Sequence, residues 1–259
     1  LGLGKCYLER QSTYYVKRCI FVYLSYSNPP RNLIIGEQMD VKLIGLTKPS
    51  AGTGCNTAGD LVAYAARVSN PTNQNNTKTA PKLLKYLIKE GHWSPFEMVS
   101  ITMEIKTTRD ISRQIIRHRS FSFQEFSQRY AEAETFSTRR QARKQHPTNR
   151  QLSMVDEDDE KQRRAQEVFN EMQAEVARVA KDHYEMALNA GIAKEQARAL
   201  LPEGMTETTL YMAGTLRSWI HYCELRRGHG TQKEHIEIAD RCWDIITGHF
   251  PEIAEALDD

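Results

Sequence analysis

The sequence predicts an α+β fold, a single domain of about 220 residues with a central, mostly antiparallel sheet flanked by helices. Three observations lead there. Residues 99–107 alternate apolar and polar without a break, several other segments carry apolar residues at helical spacing, and no internal repeat or low-complexity tract divides the chain.

Taken in order, residues 41–47 read as a short strand. Residues 57–69 read as a helix with Leu61, Val62, Ala65, Ala66 and Val68 on its apolar face, stopped at Asn70-Pro71 because a residue before proline is pushed out of the helical region. A second helix at 81–90 turns Leu83, Leu84, Leu87 and Ile88 inward, and Gly91 suits a left-handed cap. The strand 99–107 places Val99, Ile101, Met103 and Ile105 on one face and Ser100, Thr102, Glu104 and Lys106 on the other, the pattern of a half-buried strand. Residues 110–117 read as a helix with Ile111, Ile115 and Ile116 apolar, leading into Arg117-His118-Arg119. The polar stretch 131–158 has no period and is expected as a surface loop. A long helix follows, its apolar stripe running Val168, Phe169, Met172, Val176, Val179, Met186 and Ala187 up to Gly191. A short helix at 193–201 stops at Pro202, residues 206–212 are extended, and 215–227 are helical up to Gly228. Thr231 and Glu234 have capping-box spacing for a last helix that buries Ile238, Cys242, Ile245 and Ile246.

Composition narrows the function classes. With 259 residues, 40% hydrophobic and 26% charged, the chain can bury a core without disulfides or structural metal. Its five cysteines form no CxxC pair, which points to a reducing cytoplasm rather than a zinc ribbon or a secreted framework. The longest apolar run, 19–26, is far short of the roughly 20 residues a spanning helix needs, and no small-residue cleavage site follows it. Neither nucleic acid nor a membrane is expected as a partner.

Residues 1–38 have a different texture, Tyr-rich and without a period. They are read as a disordered upstream or appended leader, with Met39 opening the folded domain of 39–259. The leader carries a net +3 and the domain a net −1, so the overall +2 is not a property of the domain.

The densest polar constellation runs from Arg117 to Tyr130, Arg-His-Arg-Ser-Phe-Ser-Phe-Gln-Glu-Phe-Ser-Gln-Arg-Tyr. Guanidinium forks bind phosphate bidentately, and the hydroxyls and amides suit a base or ribose. A solvated basic turn of ion pairs is the competing reading. Phe121, Phe123 and Phe126 favour a ligand site, because aromatics buried on one side hold the polar side rigid. A second group comprises Arg198 and, on one helix, Arg217, His221 and Arg226. Arg217 and His221 share a face, and Arg226 is expected near the same side. A metal site fits poorly, since His118 lies between two arginines and His92 and His221 are remote. A Ser-His-acid triad lacks the G-x-S-x-G elbow.

Arg117-His118-Arg119 followed after seven residues by Ser127, with Gln124 to Tyr130 extending it, resembles the signature of the flavin-dependent thymidylate synthases. The resemblance runs from about Met39 to Leu257. The block His92 to Glu97, Arg198 before Leu-Pro, the helix from Arg217 to Arg226, and Gln232 all fall in the family's order.

The resemblance implies a homotetramer with FAD and dUMP at subunit interfaces, some contacts coming from neighbouring subunits. By carry-over, Ser94, Arg117, His118, Arg119, Glu125, Thr215, Arg217 and His221 contact FAD. Gln114, Arg117, Glu125, Ser127, Gln128, Arg129, Arg198 and Arg226 hold dUMP. The implied reaction takes a methylene group from methylenetetrahydrofolate and a hydride from FAD reduced by NADPH, giving dTMP.

Arg226 is the expected catalytic residue, a fixed cation beside N3 and O4 of the uracil that stabilises charge developing there. Ser127 has no adjacent base in sequence and is assigned to substrate binding. Cys223 and Cys242 lie on core stripes, which fits activation without an enzyme thiolate. Departures from the family pattern are Met98 in place of a common His, Gln124 in place of Asn, and Thr215 and His221 in place of Asn at two flavin-facing positions. The alternative function is a non-catalytic nucleotide- or RNA-binding module using the basic, aromatic segment 109–150.

Overall fold

The alternation at 99–107 becomes the middle of a sheet. In the computed structural model, which describes residues 39–257 apart from 134, 138, 139 and 229, the strands are β1 Asp40–Leu46, β2 Ser100–Thr108, β3 Ser122–Glu125 and β6 Glu207–Thr215. They run in the order β1-β2-β6-β3, every pair antiparallel. The reading of residues 1–38 lies outside the described residues.

The expected inward face of β2 is the buried one: Ile101, Met103 and Ile105 meet Gly214, Met212 and Leu210 across the β2–β6 register. Helices α1 Ala58–Ala66 and α2 Ala80–Lys89 cover the sheet's core side together with α6 Leu216–Arg227, α7 Lys233–His249 and α8 Pro251–Leu257. Trp219 is fully buried between sheet and helices, and its indole N–H donates to the Ile101 carbonyl at 3.1 Å. A capping box between Thr57 and Asp60 starts α1.

Strand β2 feeds directly into α3, Arg109–Ile115, whose Ile111 and Ile115 are fully buried, and β6 feeds directly into α6. The remaining elements are the hairpin strands β4 Lys144–Gln145 and β5 Ser153–Met154, the long helix α4 Asp159–Asn189, and the short α5 Lys194–Ala197.

Several expectations change. Residues 122–125 pair as a strand because β6 runs on to Thr215 and offers them a partner edge, three residues past the expected end. The stretch 131–158 is tied down: Phe136 is buried and bridges Thr206, and the Arg140 guanidinium grips Asp110. The apolar stripe of α4 faces outward at Val168, Met172, Val176, Val179 and Met186, while Gln173, Ala177, Ala180, Tyr184 and Ala187 face in. No Thr231–Glu234 capping box forms; Gln232 is the N-cap of α7, and the Glu234 carboxylate is drawn instead to Arg143 and Gln232.

Gly214 marks a close approach. A Cβ there would lie 2.4 Å from Cδ1 of Phe121, so the ring seats against bare backbone. Gly214→Ala is expected to displace Phe121 and cost about 1–3 kcal/mol, as overpacking does. An unchanged urea midpoint would show that the ring is not confined there.

Candidate active site

Helix α3 buries its isoleucines, which leaves Arg113 exposed and Gln114 half-exposed and carries the chain into the Arg117-His118-Arg119 turn. That turn, with Arg113, Ile116, Phe121 and Phe123, lines a groove of about 700 Å³. Phe121 is wedged edge-on against Trp219, ring centres 4.9 Å apart, which anchors the loop on the core. Phe121 and Phe123 are half-buried as the pattern suggests, whereas Phe126 is exposed.

Arg226 reaches this groove. Its Nε–H donates to Nε2 of His118 at 2.7 Å, and the His118 ring lies edge-on to Tyr222 at 4.9 Å. Accepting that bond requires a neutral imidazole with its proton on Nδ1. Burial, then the guanidinium groups of Arg226 and Arg117, push the His118 pKa down to about 4.

Arg226 is not on the side of Arg217. Nine residues are two and a half turns, which is half a turn out of phase, and Arg217 pairs instead with Glu97. His221 sits edge-on to Trp93 at 4.5 Å and 3.3 Å from Glu224. Thr215 caps α6 by accepting from the Ser218 N–H, and Ser94 opens the turn Ser94–Met98 that carries Glu97. Ser94, Thr215, Arg217 and His221 thus gather at the start of α6, away from the end that carries Arg226.

A second cleft of about 360 Å³ holds Arg109, Arg113, Gln128, Arg198, Glu195 and Glu203 among its lining. Gln128 is buried, and its Nε2 has no partner among the described residues. Arg113 lines both cavities and pairs with Glu203 at 2.9 Å, while Arg129 pairs with Glu195 at 3.4 Å. Glu125 turns inward: Ser112 Oγ and Thr208 Oγ1 donate to its Oε1 at 2.8 and 3.0 Å, with Arg109 3.7 Å away. Ser127 Oγ accepts from the Arg129 N–H at 3.4 Å, and among the described residues no base partners it. Gln114 Nε2 donates to Gln232 Oε1 at 2.8 Å.

Sequence reasoning missed Arg113 as a lining residue, although its place one turn before Arg117 was a usable signal. It also missed the buried pair Tyr222 and His235. Tyr222 OH lies 3.0 Å from His235 Nε2, and His235 is fully buried with its Nδ1 unpartnered among the described residues. A histidine and a tyrosine thirteen apart on two helices give no pattern to read. Among the described residues no group of three or more His, Cys, Asp or Glu is placed to hold a metal, and no helix is long and apolar enough to cross a membrane.

Comparison with known proteins adds lineage to this geometry. The family profile described as "Thymidylate synthase complementing protein" matches residues 54–252. A "Probable flavin-dependent thymidylate synthase" of Paramecium bursaria Chlorella virus 1 is 52% identical over 222 residues, 85% of this chain and 99% of that one. A "Flavin-dependent thymidylate synthase" of Synechocystis is 50% identical over 223 residues, 85% of this chain and 100% of the other. Among solved structures, a UMP/dUMP methylase, PolB, from Streptomyces cacaoi bound with 5-Br dUMP superposes with a TM-score of 0.71 at 26% identity, covering 86% of this chain and 96% of that one.

Both histidines make stability pH-dependent. Burial, with Arg226 and then His118 nearby, takes the His235 pKa down to about 3. Below about pH 6.5 the unfolded chain takes up protons that the folded chain refuses, so stability falls as pH drops from about 6.5 towards the folded values. His235→Gln is expected to flatten the fall of the urea-unfolding free energy between pH 7 and pH 5. A single buried histidine contributes at most about 1.4 kcal/mol per pH unit. An identical slope in the variant would contradict the neutral, buried assignment.

Proposed function

The chain belongs to the thymidylate synthase complementing protein family, the flavin-dependent thymidylate synthases, and from that membership we propose which of its residues carry the reaction. The enzyme methylates dUMP to dTMP, with methylenetetrahydrofolate as carbon donor and FAD reduced by NADPH as hydride source. When bound, FAD supplies the hydride that converts the transferred methylene to a methyl group.

The residues suit such a cofactor. The groove joins an aromatic wall, Phe121 and Phe123, to the guanidinium forks of Arg117 and Arg119, a donor set matched to a flat ring system bearing a pyrophosphate. Arg117, His118 and Arg119 are assigned to FAD here, and Ser94, Thr215, Arg217 and His221 to a second stretch of it. Glu125 is assigned to both ligands through its inward hydrogen bonds, as the group that holds Ser112, Thr208 and Arg109 in register.

The nucleotide reading rests on the second cleft. Gln128 Nε2, buried without an acceptor among the described residues, needs one, and phosphate oxygens would satisfy it together with Arg198 and Arg129. Gln114, Ser127 and Arg117 complete the proposed dUMP set. Arg226 is the catalytic residue: held by His118, its guanidinium stabilises the negative charge that develops on the uracil as C5 becomes nucleophilic. The Arg226–His118 bond is the observation that carries this assignment, because it delivers a fixed cation to the motif loop.

A homotetramer with shared sites is part of the proposal. Exposed Met172 and Met186, each 59% accessible, and Val168 and Val176 beside them supply an apolar α4 face suited to a second copy. The free thiols of Cys55, Cys223 and Cys242 suit a reducing compartment, and the cytoplasm is the proposed location.

Arg226→Ala is expected to keep the flavin absorbance band while lowering tritium release from 5-tritiated dUMP by about 100-fold or more, the scale of a lost charge-stabilising donor. Wild-type turnover in the variant would remove Arg226 from the chemistry. Met172→Glu is expected to shift the light-scattering mass from tetramer towards smaller species. An unchanged mass would place the α4 face outside the assembly.

A further inference from the structure

We propose that Arg113 is a further phosphate-binding residue of the nucleotide cleft and that Glu203 is its built-in competitor, a carboxylate that holds the guanidinium until the phosphate of dUMP displaces it. The inference rests on that cleft taking the phosphate, as proposed above.

Both side chains line the cleft, together with Gln128, whose buried Nε2 lacks an acceptor among the described residues. Arg113 also lines the motif groove, and among the described residues it is the one shared by the two linings. Helix α3 puts it there: burying Ile111 and Ile115 turns position 113 outward, one turn ahead of Arg117. Its Nη2–H donates to Glu203 Oε1 at 2.9 Å, with the two side chains 50% and 56% exposed.

The backbone beneath Glu203 is fixed while the side chain is not. The Glu203 carbonyl accepts from the Asp110 N–H at 3.2 Å and the Thr206 carbonyl from the Arg109 N–H at 3.0 Å, which ties the turn 202–206 to the start of α3. Inside the turn, the N–H and Oγ1 of Thr206 both donate to the Pro202 carbonyl, at 2.9 and 2.8 Å. The carboxylate therefore stands within reach of Arg113, yet rotation of its own exposed side chain releases the guanidinium without moving the chain.

The exchange favours a phosphate. An exposed ion pair is weak and screened by solvent, whereas a phosphate offers a guanidinium two oxygens at once and carries more charge than a carboxylate. The released carboxylate then faces the phosphate with like charge. Glu203 thus opposes the nucleotide twice, by occupying Arg113 before binding and by repelling the phosphate after it. A residue that merely tied the surface together would, once neutralised, leave dUMP affinity unchanged or lower it; a competitor raises it.

The test is calorimetric binding of dUMP to the FAD-loaded protein, comparing wild type with Glu203→Gln, Arg113→Gln and the double variant, with flavin absorbance and thermal midpoint as checks on the fold and Arg198→Gln as the control on the cleft. Glu203→Gln is expected to tighten dUMP binding about fivefold, the scale of one exposed charge pair. Arg113→Gln is expected to weaken it about tenfold, the scale of a lost charge-assisted hydrogen bond. In the Arg113→Gln background the gain from Glu203→Gln is expected to shrink, since no guanidinium is left to compete for. Unchanged or weaker binding in Glu203→Gln, or wild-type binding in Arg113→Gln, overturns the inference, and the cleft reading stands if Arg198→Gln nonetheless binds dUMP more weakly. An Arg198→Gln protein that binds dUMP as tightly as wild type overturns the cleft reading and the inference with it.

Discussion

The nine-residue antiparallel pairing of β2 with β6 is the constraint on which the site depends. Each strand passes into a helix with no linker, and the ladder continues into both: Arg109 N–H bonds to the Thr206 carbonyl at 3.0 Å and Leu216 N–H to that of Val99 at 2.8 Å. Because the strands are antiparallel, α3 and α6 begin at opposite ends of the sheet. Helix α6, about 18 Å long at the usual rise, then runs back along the sheet, and its last turn places Arg226 on His118 just beyond α3. A one-residue slip in the pairing would turn Met103 and Met212 off the core face and carry both helices with them.

How the arginines are held divides them into two kinds. Arg113 with Glu203, Arg129 with Glu195, and Arg217 with Glu97 are paired on substantially exposed side chains. Such pairs are worth about 0–1 kcal/mol, so a phosphate can take the place of the carboxylate at little cost. Arg143 and Arg109 are nearly buried with Glu234 and Glu125, where breaking a pair leaves a stranded charge. The first kind is available to a ligand. The second is scaffold, held in place by burial. A domain that is slightly acidic overall can therefore offer anion sites, because its charge is sorted by burial rather than by sum.

What could be read from the sequence follows from this sorting. Strand β2, α2 and α7 were legible because one face of each packs on the core of the same chain, so their periodicity reports burial directly. The α4 stripe was equally periodic and faces outward, since periodicity registers an apolar face without saying which surface covers it. The motif loop was legible as chemistry because its arginines cluster within thirteen residues, but β3 inside it was not, its partner edge lying some 85 residues further on. Glu234 had the spacing of a cap and serves as an ion-pair partner instead: spacing alone cannot reveal that Arg143 arrives from a distant hairpin. Arg226 was expected near the side of Arg217, which nine residues of helix do not allow, and the fold takes it to His118 instead.

The choice of histidine at 118 bears on what Arg226 can do. An aspartate or glutamate there would bind the guanidinium more tightly, yet it would cancel the charge on which the role proposed for Arg226 depends. A lysine or arginine would repel it. Neutral imidazole does neither: Nε2 fixes the direction of the Arg226 Nε–H while leaving the positive charge whole. Burial and the two flanking guanidinium groups keep the ring neutral at any pH near 7, so the same arginines that populate the motif enforce the state of the histidine between them. The histidine of Arg-His-Arg is thus more than a spacer between two arginines. The imidazole aims a third arginine, 108 residues away in sequence yet adjacent in space, without spending any of that arginine's charge.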